Sequence, residues 1–351
     1  MLKGVKDNIN KVIYIYIYCV YYKMKIALVG PGIMPIPPIG WGAVEILIWD
    51  YYKEIIKNGV EVHIINEVFE NKGGPNSHYF NNLIQKINNG NYDFVHIHYD
   101  CFYHIIPFLT CKKIGITSHY PYIDNMEKYY NDGYKKIFDF ICKNTNHYIF
   151  ALSKKDYETF YNFCYDKNKI FLILNGSNHN EIDTIQDINN KLYYNNSIYL
   201  AQISTRKKQE LYCSIKDIDF YGNCNTNFKY NECYKGEPSR SDLIELLKNY
   251  GNLVLLSDGE NGTPLVIKEA LMAGLPIVTN RYSSNDLDTS LEFIDIIPDN
   301  KLNDINYVEN VIKENRRKQY LNKEIRNYAI DNFSWELLVK KYLKVIQIIV
   351  N

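Results

Sequence analysis

Two α/β units, each a doubly wound parallel sheet, facing one another across a cleft and closed by a C-terminal helix, are what the sequence predicts. Three observations carry this. Short apolar, β-rich runs alternate with amphipathic helical stretches in two series, the pattern of parallel sheets covered on both faces. A polar, Asn-rich stretch, Glu181–Asn196, separates the two series. The tail, Asn303 to Val350, reads as helical, and FSWELLVKKYLKVIQIIV carries apolar residues at helical spacing behind a cap candidate at Ser334. The length of 351 residues suits two domains rather than one.

In the first series the strands are expected at Lys25–Gly30, Glu61–Ile65, Phe94–His98, Ile114–Thr117, Tyr148–Leu152 and Lys169–Leu174. Helices are expected at Val44–Lys57, Met126–Lys143 and Lys154–Phe163. In the second, strands are expected at Ser197–Ile203, Asp217–Tyr221, Tyr230–Tyr234, Leu253–Leu256, Pro276–Thr279 and Ile294–Ile297, with helices at Ser239–Asn249 and Pro264–Ala273. The domains are therefore drawn at 24–185 and 196–315, with residues 316–351 closing back onto the first. Residues 1–23 are read as an extension outside the fold, because VIYIYIYCVYY (Val12–Tyr22) has 11 apolar or aromatic residues and a membrane-spanning helix needs about 20. Met24 is read as the natural start, with a short membrane anchor in residues 1–23 as the alternative.

Composition narrows the function. Lys+Arg and Asp+Glu are both 40, and a net charge of zero argues against a nucleic-acid partner. Hydrophobic residues at 46% are enough to build packed cores. The 33 tyrosines, like the abundant Asn, Ile and Lys, are read as A/T-rich codon bias before chemistry. Eight cysteines show no C-x-x-C spacing, so the usual zinc and dithiol signatures are missing, and reduced, scattered thiols are expected.

Three stretches bear on chemistry. The first, GPGIMPIPPIGWGAVE (Gly30–Glu45), follows the first strand. Gly30-Pro31-Gly32 begins like a dinucleotide fingerprint, but Pro35 stands where the third glycine belongs, and the loop is too long for a nicotinamide site. A rigid loop ending at a helix N-terminus suits close approach by a phosphate or sugar, and a purely structural loop is the alternative. In the second, DFVHIHYD and ITSHYP, three histidines end strands of one sheet. His96 and His98 are expected to face opposite sides of their strand and so not to share one metal, and His119 to face the cleft. The third, LLSDGENGTPLVIKEALMAGLPIVTN (Leu255–Asn280), reads strand, Gly-rich loop, helix, strand. Thr263 is expected to cap the helix with Pro264 at its first position. The N–H groups of Gly262, Thr263 and Leu265 then form an anion site backed by the helix dipole. Glu260 lies in the loop, and Glu269 lies on an otherwise apolar helix, where a carboxylate is costly without a task.

This third stretch resembles the signature of the retaining glycosyltransferases of family 4, the glycosyl transferases group 1 class with the GT-B fold. The matching residues are Ser257, Glu260, Gly262, Glu269-Ala270, Ala273-Gly274 and Pro276-Ile277-Val278. PPIGWGAVE is similar to the family's acceptor loop, VHIH and TSH to landmarks of its first domain, and ILNGSNHNEI (Ile173–Ile182) to the segment entering its linker. AQISTRKKQ (Ala201–Gln209) is similar to its phosphate segment and FSWELLVKKYLKVI to its closing helix. The likeness spans about residues 24–350 in order. It departs in two places. Eight residues separate Glu260 from Glu269 where the family has seven, so either Glu260 shifts in a bulged loop or the extra Asn261 takes its place. Gln202 stands where an Arg is usual, with Lys207 at the family's Lys and Arg206 able to supply the charge.

The resemblance implies a nucleotide-sugar donor (UDP-, GDP- or ADP-sugar), a glycan or glycolipid acceptor, transfer with retention, and no cofactor or metal. It implies that Lys207 and Arg206 neutralise the diphosphate, that Glu269 holds the ribose and Glu260 the donor sugar, and that His119 contacts the transferred sugar. The acceptor enters along Gly40, Gly42 and Glu45. Asp217-Ile218-Asp219 has the letters of a metal-binding D-x-D but opens a predicted strand. A cytoplasmic protein, with peripheral association at a membrane surface left open, is the matching expectation. A nucleotide-sugar epimerase and a non-catalytic nucleotide-sugar binder are the rival readings; a Rossmann dehydrogenase is disfavoured by the missing glycine.

Overall fold

A computed structural model of the chain describes residues 24–40, 42–69, 74–182 and 194–351. The extension 1–23 and most of the expected linker lie outside the described residues. The first sheet is formed by β1 (Lys25–Val29), β2 (Glu61–Ile65), β3 (Phe94–Ile97), β4 (Ile114–Ile116), β5 (Tyr148–Ala151) and β6 (Ile170–Leu172). These pair in the order β2-β1-β3-β4-β5-β6, parallel throughout. The second holds β7 (Ser197–Leu200), β8 (Ile218–Tyr221), β9 (Tyr234–Gly236), β10 (Asn252–Leu255), β11 (Ile277–Asn280) and β12 (Ile294–Ile297), in the order β12-β11-β10-β7-β8-β9. Each sheet has one place where the winding reverses, beside β1 and β3 in the first and beside β7 and β10 in the second. Crevices open there, at the strands' carboxyl ends.

Buried strands such as FVHI and NLVL have no exposed residue, as a sheet covered on both faces requires. One face of the first sheet is covered by α1 (Ala43–Lys57), through Leu47, Ile48, Tyr51 and Ile55. α2 (Ser77–Asn89) was not among the expected helices; it buries Leu83 and Ile87, packs Tyr79, Phe80 and Ile84 beside them, and is capped by Asn76, which accepts from the Tyr79 N–H at 2.9 Å. The single helix expected over Met126–Lys143 is two, α3 (Met126–Asn131) and α4 (Lys135–Lys143). Gly133 between them is in the left-handed region at φ 70°. α5 (Lys154–Phe163) is capped by Ser153. In the second unit, α6 (Arg240–Leu247) and α7 (Leu265–Met272) flank the sheet, followed by α8 (Ile305–Arg317) and α9 (Asn322–Phe333). The strand expected at Tyr230–Tyr234 falls instead at β9, since Asn227–Tyr230 forms a 3-10 turn capped by Thr226.

α10 (Trp335–Val350) closes the chain against the first sheet. Trp335, Leu338, Val339, Tyr342, Leu343 and Ile346 form its buried stripe and pack with Ile26, Leu28, Leu47 and Tyr51. Ser334 does stand at its N-cap, but the side chain makes no capping bond. Of the segment 316–351, only α10 packs there; Ile325, Ala329 and Phe333 of α9 belong to the core of the second unit. The chain crosses back beside its outward path, where Ser177 N–H donates to Phe333 O at 2.8 Å and Trp335 N–H to Ser177 O at 3.3 Å.

His96 and His98 share one side of β3, with ring centroids 4.0 Å apart. The expectation that they face opposite sides is overturned: side chains alternate along a strand, so residues two apart lie on the same face. His96 is nonetheless fully engaged, sharing hydrogen bonds with Tyr342 Oη at 2.9 Å through Nδ1 and with Thr117 Oγ1 at 2.8 Å through Nε2. Burial pulls it down to about 3, so it stays neutral at physiological pH.

Candidate active site between the two sheets

The loops after β1, β4, β7 and β10 meet around a cavity of about 380 Å³, lined among others by Gly40, His119, Lys207, Glu260, Asn261 and Glu269. Each wall has a local cause. After β7 the chain makes a 3-10 turn, Thr205–Lys207, ended by Lys208 in the left-handed region at φ 56°. The buried Tyr199 hydroxyl lies 2.6 Å from Lys207 O and accepts from the Leu256 N–H at 2.9 Å, so this turn is pinned to the end of β10. Lys207 Nζ and Arg206 Nη1 then converge on one atom, Glu260 Oε1, the Arg206 contact being 3.1 Å. Arg206 also donates to Gly259 O at 2.5 Å. Burial pulls the Lys207 ammonium below its ordinary value, while the charge of Glu260 opposes that pull.

The Gly-rich loop departs from expectation at Thr263. Gly262 takes the left-handed conformation, φ 67°, and a Cβ there would sit 3.1 Å from both Asp286 Oδ2 and Leu152 O. The turn aims the Thr263 N–H at Asp286 Oδ2, 3.2 Å away, and Thr263 Oγ1 accepts from the Asp286 N–H at 3.3 Å. Thr263 therefore is not the helix cap and its N–H is not available to an anion. Pro264 occupies the N-cap and α7 starts at Leu265. The amides of Leu265 and Val266, in the first turn and lining the cavity, remain the donors that a helix N-terminus leaves unsatisfied.

Asn261, the extra residue, spans the cleft. Its Nδ2 donates to Ser118 O at 2.8 Å and to Tyr120 O at 3.2 Å, the carbonyls on either side of His119. Asn261 Oδ1 and His119 Nε2 are both buried without a hydrogen-bond partner among the described residues. Burial lowers His119 to about 4, so its ring is neutral near pH 7. Beside them Gly259 faces the Tyr122 ring closely enough that a Cβ would collide with it. Replacing Asn261 with alanine removes both cross-cleft bonds. A loss of about 1–3 kcal/mol of stability is expected, at roughly 0.5–1.5 kcal/mol per bond, measured by urea unfolding; no change would show that the cleft is held elsewhere.

On the opposite wall Gly40 and Val44 line the cavity, whereas Gly42 is the N-cap of α1 and Glu45 is turned beneath the loop. The Glu45 carboxyl is raised by burial and takes hydrogen bonds from its own backbone and that of Met34. Gly42 and Glu45 thus brace the loop, and Gly40 is the part that faces the cavity. Among the described residues no cluster of three or more His, Cys, Asp or Glu could hold a metal ion, and seven cysteines are free.

Sequence reasoning missed two residues. Asp286 is one; nothing in its neighbourhood signals that it meets Thr263. Arg240 is the other. It lines the cavity and its guanidinium forms an ion pair with Glu269, which is 1% exposed. A signal existed: Ser239 caps α6, so Arg240 sits in the first helical turn, where a cation opposes the helix dipole.

No family model matches the chain, and no curated protein matches it in sequence. Solved structures do match in fold. HepE of Anabaena, in a structure with UDP-glucose, superposes with a TM-score of 0.68 at 12% identity, over 92% of this chain and 99% of that one. Sucrose-phosphate synthase from Thermosynechococcus elongatus gives 0.69 at 14% identity, over 92% and 98%. WaaG, a glycosyltransferase involved in lipopolysaccharide biosynthesis, gives 0.65 at 13% identity, over 92% and 99%. The architecture is the GT-B fold.

Proposed function

We propose that this protein is a glycosyltransferase that moves a sugar from a nucleotide-sugar donor to a hydroxyl of a glycan or glycolipid, with retention and without a metal ion. The observation that carries the reading is the convergence of Lys207 and Arg206 on one side of a cavity whose other side presents His119. Two cations and the first-turn amides of α7 suit a diphosphate, whose charge grows as the glycosidic bond breaks. Glu269, deeper on α7, suits the ribose. Glu260 is committed to both cations, which favours Asn261 for the sugar contact: its Oδ1 can accept from a sugar hydroxyl beside His119 Nε2. The neutral ring of His119 acts here as a hydrogen-bond partner and not as a charge. The acceptor approaches past Gly40 and Val44. The fold likeness to glycosyltransferases, one of them solved with UDP-glucose, supports the donor class. No helix among the described residues is long and apolar enough to cross a membrane, and peripheral attachment through the acceptor side is compatible with the reading.

Thermal unfolding with UDP-, GDP- and ADP-sugars tests it. One of them at 100 times its Kd should add about 2.7 kcal/mol, and release of the nucleoside diphosphate, unaffected by EDTA, should follow with the product anomer retained by NMR. Failure of every nucleotide to stabilise the protein would end this reading. Gln202, in place of the family's Arg, favours one alternative, a binder of nucleotide-sugars that does not turn them over; stabilisation without release of the diphosphate would select it.

A further inference from the structure

We propose that Tyr134 and Asp100 are positioning residues for His119: together they set the turn Ser118–Tyr120, which holds the imidazole at the cavity wall. The inference rests on the reading of the cavity as a nucleotide-sugar site, and it names two residues that do not line it. Asp100 opens the 3-10 turn that follows β3, and Tyr134 stands directly before α4, behind the left-handed Gly133. Tyr134 Oη donates to Asp100 Oδ2 at 2.5 Å and lies 2.6 Å from Ser118 Oγ. Ser118 Oγ in turn accepts from the Tyr120 N–H at 3.1 Å. The Tyr120 ring stacks on that of Tyr134, with centroids 3.9 Å and planes 8° apart. Asp100, Ser118 and Tyr134 are all buried.

Direction in this network comes from the carboxylate. Burial raises the Asp100 carboxyl, and hydrogen bonds from the Ser118 and Tyr134 hydroxyls oppose that pull. An ionised carboxylate accepts and cannot donate. Both hydroxyl protons are therefore drawn toward Asp100, which leaves Ser118 Oγ a lone pair for the Tyr120 N–H. The turn is thereby held on both sides of His119 from the interior of the first unit. Its outer side carries Ser118 O and Tyr120 O, the carbonyls that accept from Asn261 across the cleft. The hydroxyl network and the cross-cleft bonds thus grip the same short turn from opposite sides. His119 lies between the two grips. Its Nε2 is buried without a hydrogen-bond partner among the described residues, so the placement of that nitrogen is inherited from the backbone on either side. Loosening the inner grip would leave the ring in the cavity but misdirected toward the sugar.

The test has two arms, both on the full chain. The first is steady-state kinetics with the donor that thermal unfolding identifies. Tyr134→Phe keeps the stacked ring and removes the hydroxyl. It should lower kcat about 10- to 100-fold, the scale of a misplaced reacting group, while KM for the donor stays within about 2-fold. Asp100→Asn, close to isosteric, should match it, and the double variant should be no slower than the slower single one. The second arm needs no substrate: urea unfolding of Tyr134→Phe, Asn261→Ala and the pair. Since both side chains grip one turn, Asn261→Ala should cost less than about half as much in the Tyr134→Phe background as in the wild type. Additive losses would overturn the proposal, and so would an unchanged kcat in Tyr134→Phe. A rise in KM as large as the fall in kcat would overturn it too, because it would mark a general loosening of the site. A wild type that turns over no nucleotide-sugar would instead sink the reading of the cavity, and the unfolding arm would still decide whether the network holds the turn.

Discussion

Replacing Lys207 with alanine should lower kcat by about 10²- to 10³-fold while KM for the donor changes far less, the size seen when one preorganised donor to a developing charge is removed. Lys207 is buried, so its ammonium is desolvated before any substrate arrives and its field is little screened. Its backbone is held by the Tyr199 hydroxyl, so the charge is preorganised. Negative charge at a diphosphate leaving group rises as the bond to the sugar breaks, and an interaction that strengthens in the transition state appears in kcat. Arg206 limits the damage, because it reaches the same Glu260 oxygen. Glu260→Gln is the companion: it removes the carboxylate that competes with a diphosphate for the two cations, so inorganic pyrophosphate should bind it more tightly than wild type. Steady-state kinetics with the donor found by thermal unfolding decides the first part. A rise in KM with kcat intact would show that Lys207 serves ground-state binding only.

Replacing Tyr342 with alanine should cost about 3–5 kcal/mol of stability, in the range for deleting a large buried aromatic. Tyr342 is fully buried on α10, and its ring lies 4.9 Å from Tyr51, 5.5 Å from His96 and 5.7 Å from Phe150. Those three partners come from α1, β3 and β5, so one side chain ties the closing helix to three elements of the first unit. Tyr342→Phe keeps the packing and loses only the hydrogen bond to His96, at an expected cost of about 1–3 kcal/mol for the polar atom left alone. The shift in urea midpoint at unchanged slope measures both. A loss below about 1 kcal/mol for the alanine variant would mean that α10 is held by its aliphatic stripe alone.

Those two residues differ in how visible they were. Tyr342 stands in a run with helical spacing, so its burial was legible from periodicity, as were the parallel strands. Lys207 was legible only through the likeness of AQISTRKKQ to a glycosyltransferase phosphate segment. What escaped was what two distant segments make together. Thr263 and Asp286 are 23 residues apart, and the bond between them is what removes Thr263 from the expected anion site. Asn261 bonds across 143 and 141 residues to the carbonyls around His119, and no local pattern encodes that. α2 escaped although Tyr79, Phe80, Leu83, Ile84 and Ile87 recur at helical spacing; the asparagines between them, poor helix formers, obscured the stripe. The His96 and His98 error was one of period, correctable from strand geometry alone. Arg240 could have been flagged by its place in a first helical turn.

The backbone contact of Ser177 with Phe333 and Trp335 has a kinematic consequence. The polypeptide passes between the two units twice, once outward after β6 and once on its return before α10, and the two passages are laced together at that point. A paired crossing of this kind resists sliding of one unit past the other more than it resists swinging about the crossing. A swing about that crossing breaks the Asn261 bonds to the carbonyls beside His119, which span the cleft, so those two bonds set its threshold.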